Sequence, residues 1–394
     1  MSSAPTAHAP TTDQQLYPHG PGSPVPVQTR SGRFASAVHE DFPAVTGREL
    51  EWKLTPVDKV RDLIDGPLDG SAFPTIISEA VGVHVEWVAP GDPRVGTAGL
   101  AEERAAANAW SRVDSVLALT LTGEEAVTVT IDRTGVDRAP RAAHTVITAA
   151  PNARGLVVID NRGSARLTEN VEIVAQSGSD LTVVSVQEWD DDSVHLASHF
   201  ARVDKDARLK HVVVSLGGSV VRVNPSVHLA GPGADGQLLG LYFADAGQHL
   251  EQRVYVNHIA PNTVSRVTYK GALNGAGART VWVGDVLIGH DATGTDSYEQ
   301  NRNLVLSDGT RADSIPNLEI ETGDIAGAGH ASATGRFDDE HLFYLRSRGI
   351  DEQEARRLVV MGFLIEVVQK IGAPDLEQRL TDAIEAELEA VEVV

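Results

Sequence analysis

Short runs of β-branched and other apolar residues recur along the chain from about residue 116 to about residue 325. Turns containing Gly, Asn or Asp separate these runs at intervals of roughly 8–12 residues, which is typical of a β-sandwich, a barrel or a solenoid. Because roughly 200 residues of strands exceed a sandwich of about 100 residues, and an open sheet of that size curls or splits, the length favours a parallel β-helix. The sequence has no strict period, so the pattern alone leaves the other two folds open.

The segments before this strand-rich core, which spans residues 114–336, differ from it in composition. Residues 1–30 are rich in Pro, Ser, Thr and Gly, and this predicts a disordered tail. Residues 31–113 mix helical and strand-like pieces. In that region Thr55 is predicted to cap a helix whose first residue is Pro56.

The last part of the chain, residues 337–394, is predicted to form a C-terminal helical domain. Its longest helix, from about residue 351 to about residue 370, is apolar nearly all round, so it must be covered on more than one side. Either the strand core and the following helix cover it, or it is a docking face for another protein.

The charge of the chain narrows the range of partners. Asp and Glu number 55, Lys and Arg number 33, and the formal charge is −22. A field of that sign repels phosphate groups, so we expect no binding to nucleic acid or to an anionic membrane. No apolar run approaches the roughly 20 residues of a membrane helix, and no signal-peptide pattern is seen at the N-terminus. We therefore expect a soluble cytoplasmic protein.

The sequence contains no cysteine. Disulfides, thiolate nucleophiles, Cys-ligated zinc and iron–sulfur clusters ligated by this chain alone are thereby excluded. The Gly-x4-Gly-Lys-Ser/Thr phosphate loop, the Gly-x-Ser-x-Gly elbow and the His-Glu-x-x-His zinc helix are also missing. Metal chemistry must then use His, Asp or Glu, or ligands of another chain, and the missing phosphate loop argues against nucleotide chemistry in this chain.

A few histidines and glutamates remain as candidate functional residues. His195 and His199 would share one face of a helix and hold a metal there, but the strands before them favour a solvated turn and strand. For Glu299, Glu319 and Glu321 the sequence does not decide between a structural and a functional role. His330 differs in context, because it lies among small residues where the strand core meets the helices, and small residues let another backbone approach closely.

Several short sequence motifs, mostly in the last third of the chain, resemble those of the SufB/SufD family of iron–sulfur cluster assembly scaffolds. The most specific is Leu-Phe-Tyr-Leu-Arg-Ser-Arg-Gly at 342–349, joined to His-Ala-Ser-Ala-Thr-Gly at 330–335. Pro-Asn-Leu-Glu-Ile at 316–320 also matches, and Trp-Lys-Leu-Thr-Pro at 52–56 looks like the Trp-Arg-x-Thr-Pro element of the family. The resemblance covers most of residues 45–372.

The resemblance implies a fold and a set of partners. The family fold is a right-handed parallel β-helix flanked by an N-terminal helical region and a C-terminal helical domain. Its members form a complex of SufB, SufD and the SufC ATPase, in which the C-terminal helices dock SufC. We expect this chain to pair with a SufB-like subunit through a β-sheet edge, and to be able to form a homodimer when isolated.

Within the family the chain is most similar to SufD. In SufB a cysteine near the end of the core accepts sulfur, and this chain has Asn301 there. SufB also has a glutamate where this chain has Ala331, and SufD chains often have Lys-Cys-Ser where this chain has Gly-Ala-Gly at 327–329. The resemblance gives His330 the role of the SufD histidine at the SufB–SufD interface. His330 is therefore the candidate ligand of a metal and of the nascent cluster.

The expected function is that of a non-enzymatic scaffold that binds no cofactor alone and shares iron or a nascent iron–sulfur cluster with SufB. Two alternatives stay open. A β-helix enzyme acting on polysaccharide needs two or three carboxylates about 5–9.5 Å apart in an exposed groove. A β-solenoid binding module has no metal role.

Overall fold

The computed structural model describes residues 33–336 and 339–390. The tail predicted over residues 1–30 lies outside this range. The helices are a 3-10 turn (His39–Asp41), α1 (Val57–Asp65), α2 (Arg104–Arg112), α3 (Asp339–Ser347), α4 (Glu352–Val368) and α5 (Pro374–Ala390). The strands are β1 (Ile76–Ile77), β2 (Val83–Val88), β3 (Val116–Leu121), β4 (Val127–Arg133), β5 (Arg141–Ala149), β6 (Arg154–Gly163), β7 (Arg166–Ala175), β8 (Asp180–Trp189), β9 (Val194–Val203), β10 (Arg208–Ser215), β11 (Val220–Leu229), β12 (Asp235–Ala244), β13 (His249–His258), β14 (Val264–Leu273), β15 (Arg279–Ile288), β16 (Thr295–Val305), β17 (Arg311–Ile320) and β18 (Ile325–Gly335).

The strands form a β-solenoid of about 8 turns. Sheet A has the order β2-β3-β5-β7-β9-β11-β13-β15-β17, and sheet B has the order β1-β4-β6-β8-β10-β12-β14-β16-β18. From β3 onward each strand pairs in parallel with the strand two positions later, so each coil gives one strand to each sheet. The solenoid predicted from length is confirmed, whereas its right-handed winding stays a prediction.

The space between the two sheets, which we call the lumen, is filled mainly by apolar side chains. Successive side chains of a strand point to opposite faces, so on β11 Val221, Val223 and Val227 lie in this core. On β12 the outward set, Leu239, Leu241 and Phe243, packs against the C-terminal helices instead. Burial on both faces explains why the strands appear in the sequence as continuous apolar runs.

The N-terminal helices pack on the outer face of sheet A. Leu63 of α1 and Ala105 of α2 lie in one buried cluster with Leu196 of β9. The predicted cap of α1 is wrong: Pro56 occupies the N-cap position, and Thr55 Oγ1 donates a 2.8 Å hydrogen bond to Glu251. The reason is that Glu251 is fully buried on the sheet, and the hydroxyl of Thr55 is one of the donors that satisfy its carboxylate.

The C-terminal helices cover the outer face of sheet B. Val360, Leu364 and Val367 of α4 are buried together with residues of β8, β10 and β12 and with α5. Lys270 of β14 fixes α4 further by donating to the carbonyl oxygen of Phe363 at 3.2 Å. The chain itself therefore covers most of the apolar surface of this helix, as the first of the two readings expected. No helix in the described part of the chain is long and apolar enough to cross a membrane.

Candidate functional site

His330 lies on β18, the last strand of sheet B. Within the described residues β18 pairs only with β16, so its other edge has no strand beside it. The side chain of His330 is 45% exposed. Parallel register places His330 directly beside Glu299 of β16, and the alternation of side chains puts both on the face toward the lumen.

Glu299 is buried at this end of the lumen, with only 1% of its side chain exposed. Its Oε1 lies 3.8 Å from Nδ1 of His330, and neither carboxylate oxygen has a hydrogen-bond partner among the described residues. Burial and the nearby charge of Asp285 raise the pKa of Glu299 to about 8; the backbone N–H of Asn317, which makes no hydrogen bond of ordinary geometry with the carboxylate, opposes the rise only in part. A buried carboxyl without a cation or a donor keeps its proton, which explains the direction.

The glycine on the opposite strand makes room for this carboxylate. Gly284 of β15 faces Glu299 across the lumen, and a Cβ at this position would lie 2.4 Å from Glu299 Oε2. It would also lie 2.3 Å from the indole ring of Trp282. Any larger residue at Gly284 would therefore displace the carboxylate or the indole.

The inward positions of β16 that follow Glu299 belong to a hydrogen-bond network with Tyr242 of β12. Asn301 donates to the hydroxyl of Tyr242 at 2.8 Å, and Tyr242 donates to Asn303 at 2.7 Å. Asn303 in turn donates to Asn301 at 2.8 Å, and Ser314 of sheet A donates to the same Asn301 oxygen at 2.6 Å. Asn301, which the resemblance matches to the SufB cysteine, is thus a fully buried structural residue with satisfied amide groups.

His195 and His199 lie elsewhere, in the middle of the lumen, and both are fully buried. Nε2 of His195 is 3.0 Å from Oε1 of Glu169, and Nδ1 of His199 is 2.8 Å from Nε2 of His211. The predicted turn and strand are confirmed, and the turn at 190–192 is exposed, but both histidines are buried because they occupy inward positions of β9. No group of three or more His, Asp or Glu residues that could hold a metal is found in the part of the chain that the structure describes.

Sequence reasoning identified His330 but left Glu299 undecided. The two residues meet because they are one coil apart, at paired positions of β16 and β18. Their closeness in space becomes visible in the sequence only once the length of a coil is known.

The comparison with protein-family models gives one match. The core domain of the SufB/SufD proteins of the SUF system, which assembles FeS clusters, matches residues 132–363. The chain belongs to the SufBD family. The matched range contains nearly the whole solenoid, with Glu299, Asn301 and His330.

Relatives of the SufBD family agree over almost the full length. An iron-sulfur cluster assembly SufBD family protein of Mycobacterium bovis is 50% identical over 370 residues, which cover 91% of this chain and 93% of the relative. One of Mycobacterium leprae is 48% identical over 381 residues, 94% of this chain and 97% of the relative. A second family protein of M. leprae is 30% identical over 219 residues, which are only 25% of its length.

Membership of the SufBD family settles the general role as iron–sulfur cluster assembly in the SUF system. The resemblance found in the sequence motifs is confirmed at the level of the family. Membership also favours this role over the polysaccharide-active enzyme and over the binding module without a metal role. Assignment to the SufD branch stays a prediction.

Proposed function

We propose that this chain is a SufD-like, non-enzymatic scaffold subunit of the cytoplasm. It pairs with a SufB-like subunit, docks a SufC-like ATPase, and offers His330 to iron or to the nascent cluster at the interface of the two scaffolds. The chain contains no cysteine, so the sulfur donors of that cluster come from another chain.

The observation that carries the proposal is the position of His330. Its ring is half-exposed on the last strand of sheet B, whose outer edge has no strand beside it within the described residues. A neutral imidazole is a ligand suited to iron. A side chain so placed is within reach of donors on a partner, and a histidine buried in the lumen, such as His199, is not.

The surroundings of His330 also suit pairing with another scaffold. The free edge of β18 presents backbone N–H and C=O groups to which a partner strand can add. The outward positions of this strand are occupied by Gly327, Gly329, Ala331 and Ala333, whose small side chains let a neighbouring chain approach. A second copy of the same chain would use the same edge, which accounts for the expected homodimer.

The ATPase contact is assigned to α3 instead of the buried stripe of α4. Phe343 and Tyr344 of α3 are 75% and 57% exposed, and Leu358 of α4 is also exposed. Large exposed aromatic side chains on a helix are typical of interaction sites. The buried stripe of α4 is already in contact with sheet B and is not available to a partner.

The experiment is reconstitution of a cluster on the complex that co-purifies with this chain when its genomic neighbours are co-expressed. His330→Ala is expected to leave the scaffolds and the ATPase together and to reduce bound iron and sulfide at least tenfold. His84→Ala is the matched control, because His84 is exposed on β2 near the opposite end of the solenoid. A normal cluster yield with His330→Ala would contradict the role of this residue, and the absence of an ATPase from the wild-type complex would contradict the docking.

A further inference from the structure

We propose that Glu299 is a second iron ligand of this chain, so that Glu299 and His330 together present one oxygen and one nitrogen donor to Fe²⁺ at the end of the solenoid. The inference rests on the proposed function of His330 and extends it to a buried carboxylate. The remaining ligands would come from the partner scaffold.

The distance between the two side chains fits two ligands of one ion. Metal–nitrogen and metal–oxygen bonds to His and carboxylate are about 2.0–2.2 Å long, so two ligands on one ion lie roughly 3–4 Å apart. Oε1 of Glu299 and Nδ1 of His330 are 3.8 Å apart. An ion between them therefore requires only small side-chain rotations.

A positioning role for Glu299 fits the same distance less well. A carboxylate that orients an imidazole accepts its N–H at about 2.7–2.9 Å. The 3.8 Å separation is too long for that hydrogen bond. The gap between the two groups corresponds to a bridging ion better than to a direct contact.

The unpartnered state of Glu299 is the second, independent observation. The side chain is 99% buried, yet neither oxygen has a hydrogen-bond partner among the described residues. Leaving such a group unsatisfied costs stability, and an apolar residue of similar size would avoid that cost. The neighbouring polar residues of β16 differ from Glu299 in this respect: on the same face of the strand, Asn303 donates a hydrogen bond to Asn301.

An ion can reach the site from solvent, but the two side chains do not complete its coordination sphere. The ring of His330 is half-exposed, so an ion can arrive on its side, while Gly284 leaves the volume that the carboxylate occupies. Two donors do not fill the coordination sphere of a divalent metal. An incomplete coordination sphere in one chain is expected where an iron ion is bound between two scaffold subunits and is later released.

The test measures binding of Fe²⁺ alone, without sulfide and under anaerobic conditions, to the complex used for the His330 experiment. Glu299→Gln preserves the size of the side chain but is a much poorer metal ligand, and it is expected to weaken Fe²⁺ binding at least tenfold. Glu321→Gln is the matched control, because Glu321 is an exposed carboxylate just after β17, and it is expected to bind Fe²⁺ as the wild type does. Glu299→Asp retains the carboxylate on a shorter side chain and is expected to give an intermediate affinity.

The outcomes separate this inference from the proposed function. Wild-type Fe²⁺ affinity in Glu299→Gln overturns the role of Glu299 as a ligand and leaves that of His330 intact. A normal cluster yield in His330→Ala overturns the proposed function, and the inference with it. Circular dichroism of each variant checks the fold; if Glu299→Gln does not fold, the affinity of Glu299→Asp decides, and a value equal to that of the wild type counts against the proposal.

Discussion

Two buried glutamates in the same lumen have opposite surroundings. Glu169 of β7, in the middle coils, faces Arg133 of β4 across the lumen and lies 3.0 Å from Nε2 of His195. Although burial alone would raise it, Arg133 and His195 hold the pKa of Glu169 well below its usual range. Glu299, at the last coils, has no such cation, and its pKa rises to about 8.

The difference separates a structural charge from a functional one. A buried carboxylate that is paired with a cation and hydrogen-bonded resists change, because removing either partner leaves the other charge uncompensated. A buried carboxyl without a partner lowers stability where it stands and is ready to bind an incoming cation. Buried polar groups therefore occur in both parts of the lumen, but the carboxyl of Glu299 has no cation to compensate it among the described residues and lies beside the half-exposed His330.

The largest effect is expected from breaking the pair in the middle coils. Arg133→Met leaves the carboxylate of Glu169 buried without its guanidinium and is expected to lower the free energy of unfolding by about 3–5 kcal/mol. Urea or thermal unfolding of the full chain measures it. Arg302→Met, on an exposed position of β16, is the matched control and is expected to change stability by less than about 0.5 kcal/mol.

A double variant sharpens this prediction. Adding Glu169→Gln to Arg133→Met removes the stranded charge and is expected to recover a large part of the lost stability. Wild-type stability of Arg133→Met alone would show that the middle of the lumen is as tolerant as its end, and the comparison would then lose its basis.

The second largest effect is expected from low pH, which should destabilise the middle coils through protonation of His199. Burial lowers the pKa of this histidine to about 4, whereas an unfolded histidine has a pKa near 6.5. The unfolded state therefore binds more protons in this window, and the contribution of His199, present above pH 6.5, is lost as the pH falls to 4. The expected loss is roughly 3 kcal/mol of unfolding free energy.

The pH dependence of urea unfolding checks this expectation. His199→Gln has no group that titrates in the window and can still hydrogen-bond to His211, so its stability is expected to fall less steeply between pH 6.5 and pH 4. Parallel curves for the wild type and the variant would mean that the pKa of this histidine is the same in the folded and the unfolded protein.

The sequence was sufficient for the architecture but not for the details inside it. Recurrent apolar runs and their total length favoured the solenoid, and the family resemblance implied it, because both signals can be read from the order of residues without knowing the register of the strands. The lumen-facing set of residues depends on register, and so the sequence predicted the strand but not that His195 and His199 point into the lumen. Thr55 left its predicted cap because a buried carboxylate on a distant strand competes for its hydroxyl.

The candidate site was predicted unevenly for the same reason. His330 was found through a family resemblance and its small neighbours, both of which are local in the sequence. The role of Glu299 stayed undecided, because it depends on His330 one coil later and on Gly284 across the lumen. Pairing across coils is fixed by coil length and by the position of each turn, and no local pattern reports either.

The smallest effect, and the one of opposite sign, is expected from Glu299→Gln in the metal-free chain. Because the folded pKa of about 8 lies above the ordinary value of 4.5, the stability that the protonated carboxyl contributes is complete below pH 4.5 and is lost as the pH rises toward 8. The variant does not titrate, so between pH 5 and pH 6.5 it is expected to gain roughly 2 kcal/mol over the wild type. Glu169→Gln, by contrast, is expected to be less stable than the wild type at both pH values. If Glu299→Gln instead loses stability at pH 6.5, the folded protein already holds Glu299 as a compensated anion. Glu299 and Glu169 would then have the same kind of surroundings.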